Sequence, residues 1–186
     1  MTQFRRRAAL ALGACLLAAG TGDDDVPEPA GYRMSDYRAP TPRTLRGAEV
    51  LSTEQARELW QANAARFIDV LPYPPKPPGL PPGTIWHPKP RRDIPGSIWL
   101  PDTGYGELAP TMESYFRDGL AAATKHDPER RLVFYCLRNC WMSWNAAKRA
   151  IDMGYRHVGW YPDGTDGWEE ANLPLESRVP VQRPGE

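Results

Sequence analysis

Short apolar runs alternate with longer amphipathic segments along the chain from residue 48 onward. The apolar runs cover residues 48–51, 67–70, 98–100, 132–135 and 157–161. Between them, apolar residues recur at helical spacing and predict helices over 53–66, 111–124 and 143–153. Buried strands that alternate with helices form parallel sheets. The pattern therefore predicts an α/β fold with a mostly parallel central sheet flanked by helices, in a single domain.

Three helix boundaries carry local signals. Ser52 and Gln55 have the spacing of a capping box, which predicts a helix that begins at residue 53. Ser143 is expected to cap the helix over 143–153. Gly154 follows that helix and fits the left-handed conformation that ends many helices.

Proline is concentrated in one part of the chain. Of the 21 prolines, nine lie between residues 72 and 90. Because proline neither donates to a sheet ladder nor continues a helix, we predict that the insert over 72–95 is extended or turn-like. This insert either covers one side of the sheet or offers a stiff docking surface to a partner.

The N-terminal residues have the pattern of an export signal. Three arginines at 5–7 precede an uncharged apolar run over 8–20, which is shorter than the roughly 20 residues that span a bilayer. We predict a signal peptide over 1–22, an irregular extension over 23–47, the folded domain over 48–176 and a tail over 177–186. The mature chain is then expected to be periplasmic, without a transmembrane segment. Cys15 either lies inside the apolar run or is the lipidated residue of a lipoprotein signal.

Composition and charge narrow the classes of partner. The chain has 186 residues, of which 41% are hydrophobic and 25% charged, which is ordinary for one globular domain. Its formal net charge is zero. This balance does not favour nucleic acid or an anionic membrane surface as a partner.

The candidate chemistry is concentrated on two cysteines. Once the signal peptide is removed, Cys136 and Cys140 are the remaining cysteines. Cys136 follows a predicted strand, at the edge of a parallel sheet where ligands bind. The unpaired N–H groups of the next helix favour an anion there, so we expect the pKa of Cys136 to fall below its usual value of about 8.5. Cys140 is close enough in the same loop to form a disulfide with Cys136.

This spacing leaves several kinds of chemistry open. The two thiols can attack and resolve a disulfide, or one can carry a persulfide that the other discharges. They can also form a static disulfide that pins the loop. A metal site is not predicted, because His87, His126 and His157 are scattered along the chain.

Several short motifs resemble, in order, the landmarks of rhodanese domains and extend over about residues 48–175. These are the motifs at 67–70 (FIDV), 94–97 (IPGS), 135–136 (YC), 167–168 (GW) and 173–174 (LP). More closely, FYCLRNCWMSW at 134–144 and YPDGTDGW at 161–168 resemble a rhodanese-related family with a CXXCW motif. That family is associated with catabolism by pyrroloquinoline quinone (PQQ)-dependent alcohol dehydrogenases.

The resemblance implies a periplasmic accessory role in PQQ-linked alcohol oxidation. A quinoprotein dehydrogenase or a c-type cytochrome is the implied partner, and no cofactor is firmly predicted for the chain itself. The active loop of ordinary rhodaneses is less bulky, and many rhodaneses have histidine where this chain has Asp93. Both departures argue against transfer of sulfur from thiosulfate, and the second cysteine, Cys140, favours thiol–disulfide chemistry. A non-catalytic binding module and a single-cysteine sulfurtransferase remain as alternatives.

We expect Cys136 to act as the nucleophile and Cys140 as the resolving thiol. Supporting roles are expected for Asp69, Trp144 and Trp168. The cluster of aromatic residues around the loop is either core or a platform on which a quinone stacks. The acidic residues at 163, 166 and 169 either form turns or bind a cation. Binding of an anion or substrate is predicted for Arg138, Asn139, Trp141, Met142 and Ser143.

Overall fold

The central sheet has five parallel strands that are contributed by distant parts of the chain. A computed structural model describes residues 26–74, 77–85 and 90–185, so the predicted signal peptide and Cys15 lie outside the described residues. The spatial order of the strands is β1-β6-β5-β2-β4. Their bounds are Glu49–Val50 (β1), Arg66–Asp69 (β2), Ile98–Trp99 (β4), Leu132–Tyr135 (β5) and Val158–Tyr161 (β6).

Four helices cover the two faces of this sheet: α1 (Thr53–Gln61), α2 (Pro110–Thr124), α3 (Trp141–Asp152) and α4 (Gly164–Glu170). Alternate strand residues face opposite sides. Phe134 and Trp160 point into the core formed with α2 and α3, whereas Tyr135 and Tyr161 point toward α1 and α4. The α/β class and the mostly parallel central sheet flanked by helices are therefore confirmed.

Two of the predicted helix signals are confirmed. Ser52 and Gln55 form a complete capping box at the start of α1. Gly154 follows α3 with a φ of 95°. However, α1 ends at Gln61 rather than near residue 66, and Asn63 beyond it has a φ of 49°, which interrupts the helical backbone.

Helix α3 begins earlier than the sequence pattern predicts. Its N-cap is Cys140 in an extended conformation, so the expectation that Ser143 caps the helix is wrong. Ser143 Oγ instead donates to the Cys140 carbonyl at 3.1 Å and accepts a hydrogen bond from Trp160 Nε1 at 3.0 Å. The amides of the first helical turn are consequently beside Cys140.

Three elements were not expected from the sequence. Most of the short helix α4 lies within residues 163–169, where the acidic side chains predict turns or a cation site. Strand β3 (Arg91–Asp93), which falls inside the predicted proline-rich insert, pairs antiparallel with β7 (Glu176–Arg178). This second, two-stranded sheet brings an arginine and an aspartate next to the end of β2.

The N-terminal segment, residues 32–44, lies along α3 without forming a helix. Asn145 fixes this segment at Arg33, accepting from its N–H and donating to its carbonyl, both at 2.9 Å. Trp144 Nε1 donates to the carbonyl of Thr44 at 3.1 Å. Of the helices in the described ranges, none combines the length and apolar character needed to cross a membrane.

Candidate active site

The loop between β5 and α3 holds both cysteines at the carboxyl edge of the sheet. Cys136 follows the last residue of β5, and Cys140 is the N-cap of α3. Asn139, which is exposed, has a φ of 55° and turns the chain back on itself. As a result the two side chains meet, and the Cys136 thiol donates a hydrogen bond to the Cys140 sulfur.

The backbone of Cys136 is held from the side of α4. Its carbonyl accepts hydrogen bonds from Thr165 N at 3.1 Å and from Arg91 Nη2 at 3.5 Å. Gly164 passes so close that a Cβ built on it would lie 2.4 Å from the same carbonyl oxygen. The position of Cys136 is therefore fixed by the close approach of a second loop.

The two sulfurs have opposite electrostatic environments. Burial and the hydrogen bond to Cys140 raise the pKa of Cys136 well above its ordinary value. The pKa of Cys140 is lowered to about 7, first because Cys136 donates to it and then because the amides of Met142 and Leu137 also donate. A nearby arginine, Arg38, lowers the pKa of Cys140 further.

The expectation that Cys136 carries the lowered pKa is therefore wrong. The sequence pattern correctly predicts a helix N-terminus close to the cysteines, but that terminus is next to Cys140. Cys136 lies beneath the loop and is 0% exposed, so that ionising it would cost desolvation energy. In the reduced pair, Cys140 is the sulfur that carries the negative charge.

Arg138 is directed away from the sulfurs. Its Nε donates to Asp163 at 3.0 Å, and Nη1 and Nη2 donate to the two oxygens of Glu170 at 2.6 Å. Its backbone N–H donates to Asp166 at 3.0 Å. These carboxylates neutralise the guanidinium, so the structure does not support the predicted role of Arg138 in binding an anionic substrate. Asp163 and Asp166 position this arginine and the loop.

The predicted aromatic residues do not form one wall around the sulfurs. Trp141 and Trp144 pack edge to face at 5.5 Å on the α3 side of the sheet, whereas Trp168 packs against Trp60 at 5.6 Å on the opposite side. These three predicted site residues are buried, as is Met142, which contacts Gly104. The structure therefore supports the interpretation that the aromatic cluster is core.

Asp69 belongs to a buried charged cluster at the end of β2. Its two oxygens accept from the Leu71 amide at 2.8 Å and from Arg91 Nε at 2.7 Å. Asp93 Oδ1 lies 2.9 Å from the same Nε, whose one hydrogen points to Asp69. Burial and the adjacent Asp69 carboxylate raise the pKa of Asp93 to about 9, so Asp93 keeps its proton at neutral pH.

This cluster is linked to the cysteine loop. Arg91 connects Asp69 to the Cys136 carbonyl, and the charge of Asp69 contributes to the raised pKa of Cys136. Next to Arg91 is an open cavity of about 390 Å³, which neither cysteine lines. Leu71, Trp99, Leu137 and Thr165 also line it.

The N-terminal segment covers the loop from the other side. Arg38 and Cys140 form an isolated antiparallel β-bridge, and the Trp141 amide donates to the carbonyl of Tyr37 at 2.9 Å. Trp141 Nε1 donates to the Pro40 carbonyl at 3.0 Å. Under this cover, only 2% of Cys140 is exposed. Access of a large substrate to either sulfur therefore requires the segment to move.

Comparison with known proteins identifies the fold family. The Rhodanese-like domain family matches residues 52–171, which is more than half of the chain. The chain belongs to the rhodanese-like domain family. The comparison with curated proteins found no match.

Solved structures of rhodanese-like architecture are similar to this chain. Thiosulfate sulfurtransferase from Pseudomonas aeruginosa has a TM-score of 0.51 and 18% identity, over 76% of this chain and 22% of that chain. The polysulfide-sulfur transferase homodimer from Wolinella succinogenes has a TM-score of 0.45 and 21% identity, over 72% of this chain and 81% of that chain. This chain thus spans about a fifth of the length of the first protein. The first likeness supports the fold alone.

Within this rhodanese-like domain, sequence reasoning missed two charged residues that contact or act on the cysteine loop. Arg91 was included only in the proline-rich insert, and Arg38 only in the irregular extension. The charged tripeptide at 91–93, directly before the IPGS motif, could have indicated Arg91. No local pattern indicates Arg38, because its proximity to Cys140 depends on a contact between residues about a hundred positions apart. In the described part of the chain, no group of three or more His, Cys, Asp or Glu residues is arranged to hold a metal ion.

Proposed function

We propose that this rhodanese-like protein is exported and uses Cys136 and Cys140 as a dithiol pair in thiol–disulfide exchange. Membership of the rhodanese-like family supports sulfur chemistry in general. The observation that carries the more specific proposal is the hydrogen bond from the Cys136 thiol to the Cys140 sulfur. Two sulfurs in contact, one of which ionises near neutral pH, have the properties that a reducing dithiol needs.

The exchange begins with the Cys140 thiolate. It attacks a disulfide on a substrate protein, a mixed disulfide forms, and the first substrate sulfur leaves as a thiolate that takes up a proton. Cys136 then gives up its proton and attacks the Cys140 sulfur. The mixed disulfide breaks, the second substrate sulfur leaves as a thiol, and the Cys136–Cys140 disulfide forms. Two electrons pass from the cysteine pair to the substrate disulfide.

Two features favour this dithiol cycle over single-cysteine sulfur transfer. Cys136, which occupies the position of the rhodanese cysteine, is protonated and donates to its neighbour. The guanidinium of Arg138 in the same loop is bound by Asp163 and Glu170 and is directed away from the sulfurs. A sulfurtransferase needs a thiolate at the attacking cysteine and a positive environment for an anionic donor. Cys136 lacks the thiolate, and the arginine of its own loop is bound by carboxylates.

The place of action follows from the resemblance to the CXXCW-motif family. The predicted signal peptide over 1–22 directs the chain to the periplasm. In the lipoprotein alternative, cleavage falls before Cys15, which then becomes the lipidated first residue of the mature chain. The chain then supports PQQ-dependent alcohol oxidation by acting on a quinoprotein dehydrogenase or a c-type cytochrome. Its thiol pair maintains the cysteines of that partner.

The partner proposal is tested by deleting the gene in a bacterium that carries it. Growth on a primary alcohol as carbon source should slow, whereas growth on the corresponding carboxylate, which bypasses the alcohol dehydrogenase, should not. A chain with Cys140→Ser should fail to restore growth on the alcohol. Equal growth of the deletion strain on both carbon sources would overturn the link to alcohol oxidation.

The chemical proposal is tested by two measurements on the purified chain. The first is the reduction potential of the Cys136/Cys140 pair, which should lie above about −300 mV. The second is the mass of the protein after incubation with thiosulfate, for the wild type and for Cys140→Ser. A potential below about −300 mV with no gain of a sulfur would identify a structural disulfide. A gain of one sulfur by Cys140→Ser equal to that of the wild type would identify a single-cysteine sulfurtransferase.

A further inference from the structure

The N-terminal segment, residues 32–44, brings a cation to the cysteine pair from outside the loop. Arg38 is paired with Cys140 as an antiparallel β-bridge. Its neighbour Tyr37 accepts the Trp141 amide at 2.9 Å, which fixes the register of the segment against the start of α3. The Arg38 side chain is exposed, so its charge can lie at this position without a desolvation cost.

The segment is held in this place by several contacts besides the bridge. The Tyr37 ring packs edge to face on Tyr105 with centroids 5.3 Å apart, and its hydroxyl accepts the Gly106 amide at 3.1 Å. On the N-terminal side of Tyr37, Asn145 forms hydrogen bonds with both backbone groups of Arg33. On the C-terminal side, the Pro40 carbonyl accepts a hydrogen bond from Trp141 Nε1. The backbone of Arg38 therefore has little freedom relative to Cys140.

We propose that Arg38 is a positioning residue that supplies a positive charge to the thiol pair. The arginine of the loop itself does not, because it is directed away from the sulfurs. Arg38 would thereby set the fraction of Cys140 that is ionised and able to attack a disulfide, and this consequence rests on the proposed function. Arg138, the arginine of the loop itself, is bound by carboxylates, so the cation beside Cys140 comes from a distant segment.

The charges that face Cys140 are few in the described residues. Cys136 donates its thiol proton, and the amides of Leu137 and Met142 add fixed dipoles. Burial raises the pKa of Tyr105, and Asp102, Tyr37 and lastly Cys140 raise it further, so Tyr105 is neutral at physiological pH. Arg38 is the cation that lowers the pKa of Cys140 among these groups. Its removal should raise that pKa, because an opposite charge nearby favours the ionised form.

The experiment measures the rate of alkylation of Cys140 by iodoacetamide as a function of pH in the full chain, with the modified cysteine assigned by peptide mass. For Arg38→Gln the midpoint of the profile should move upward, and the rate at about pH 7 should fall roughly two- to fivefold. Arg38→Lys keeps the charge and should restore the wild-type profile. The matched control is Arg46→Gln, which removes another exposed arginine from the neighbouring end of the extension.

The outcomes separate this proposal from the proposed function. An unchanged midpoint in Arg38→Gln, or an equal shift in Arg38→Lys, would overturn the electrostatic role of Arg38. Alkylation needs no disulfide substrate, so the profile can be measured even if the pair does not exchange disulfides. A potential below about −300 mV would contradict the proposed function, and the shift in the alkylation profile would still decide the role of Arg38.

Discussion

The Cys136 thiol donates a hydrogen bond to the Cys140 sulfur, so the first proton that the reduced pair loses comes from Cys140, with a pKa of about 7, and Cys136 keeps its proton. The charge lies on the sulfur at the start of α3, where helix amides and Arg38 stabilise it. The proton lies on the sulfur that is buried beneath the loop. This division assigns the first attack to Cys140 and leaves Cys136 to resolve the mixed disulfide.

Substitution of Gly164 should disturb the cysteine loop. Gly164 has a φ of 52°, and a Cβ there would lie 2.4 Å from the Cys136 carbonyl oxygen. Gly164→Ala should therefore lower the free energy of unfolding by about 2 kcal/mol or more, as measured by urea denaturation. The matched control is Gly31→Ala, because a Cβ at Gly31 meets no atom within 4 Å. Equal stability of the two variants would contradict the role of this close approach.

The buried Asp69–Asp93 pair should make stability depend on pH. The pKa of Asp93 is raised from 3.8 to about 9 in the folded chain, so between these values the folded state binds a proton that the unfolded state releases. The contribution of Asp93 to the free energy of unfolding should therefore be highest below about pH 4 and should fall as pH rises toward about 9. The slope is on the order of 1 kcal/mol per pH unit.

Asp93→Asn should remove much of that dependence, because asparagine does not ionise and can donate an N–H to Asp69. Urea denaturation at about pH 6 and about pH 8 should give a flatter slope for this variant and a higher stability at the upper pH. Asp118→Asn, on the exposed face of α2, serves as the control. The account of the carboxyl pair fails if Asp93→Asn and wild type lose stability equally between the two pH values.

Loosening the N-terminal segment should expose the sulfurs. Asn145 is fully buried and holds Arg33 through two hydrogen bonds, so Asn145→Ala should cost roughly 1–3 kcal/mol of stability and raise the alkylation rate of Cys140 at fixed pH. The control is Thr124→Ala, which removes a buried hydroxyl that bonds within α2. If Thr124→Ala increases alkylation as much as Asn145→Ala does, the effect comes from general destabilisation and the cover is not specific.

The sequence pattern was sufficient for the architecture. Each of the apolar runs at 48–51, 67–70, 98–100, 132–135 and 157–161 overlaps a strand of the parallel sheet, to within one residue at β2. Local signals such as the capping box at Ser52 and the glycine at 154 also predicted helix boundaries correctly. These features depend on neighbours in the chain, which is why periodicity and propensity report them.

The electrostatics of the site could not be obtained in the same way. Helix α3 begins at Trp141, directly after its N-cap Cys140, and the amide of Met142 in its first turn therefore donates to Cys140. Arg138 pairs with Asp163, which is 25 residues away, and Arg91 pairs with Asp69, which is 22 residues away. Arg38 and Cys140 are about a hundred residues apart. Helix α4 was missed because its glycines and aspartates are also typical of turns.

The most direct measurement is the identity of the cysteine that is modified first. Reduced wild-type protein is treated with less than one equivalent of iodoacetamide at about pH 7, then digested, and the alkylated peptides are resolved by mass spectrometry. Modification should fall predominantly on Cys140, with Cys136 modified slowly, because Cys140 holds the negative charge. Predominant modification of Cys136 would contradict the division of charge and proton on which the whole account depends.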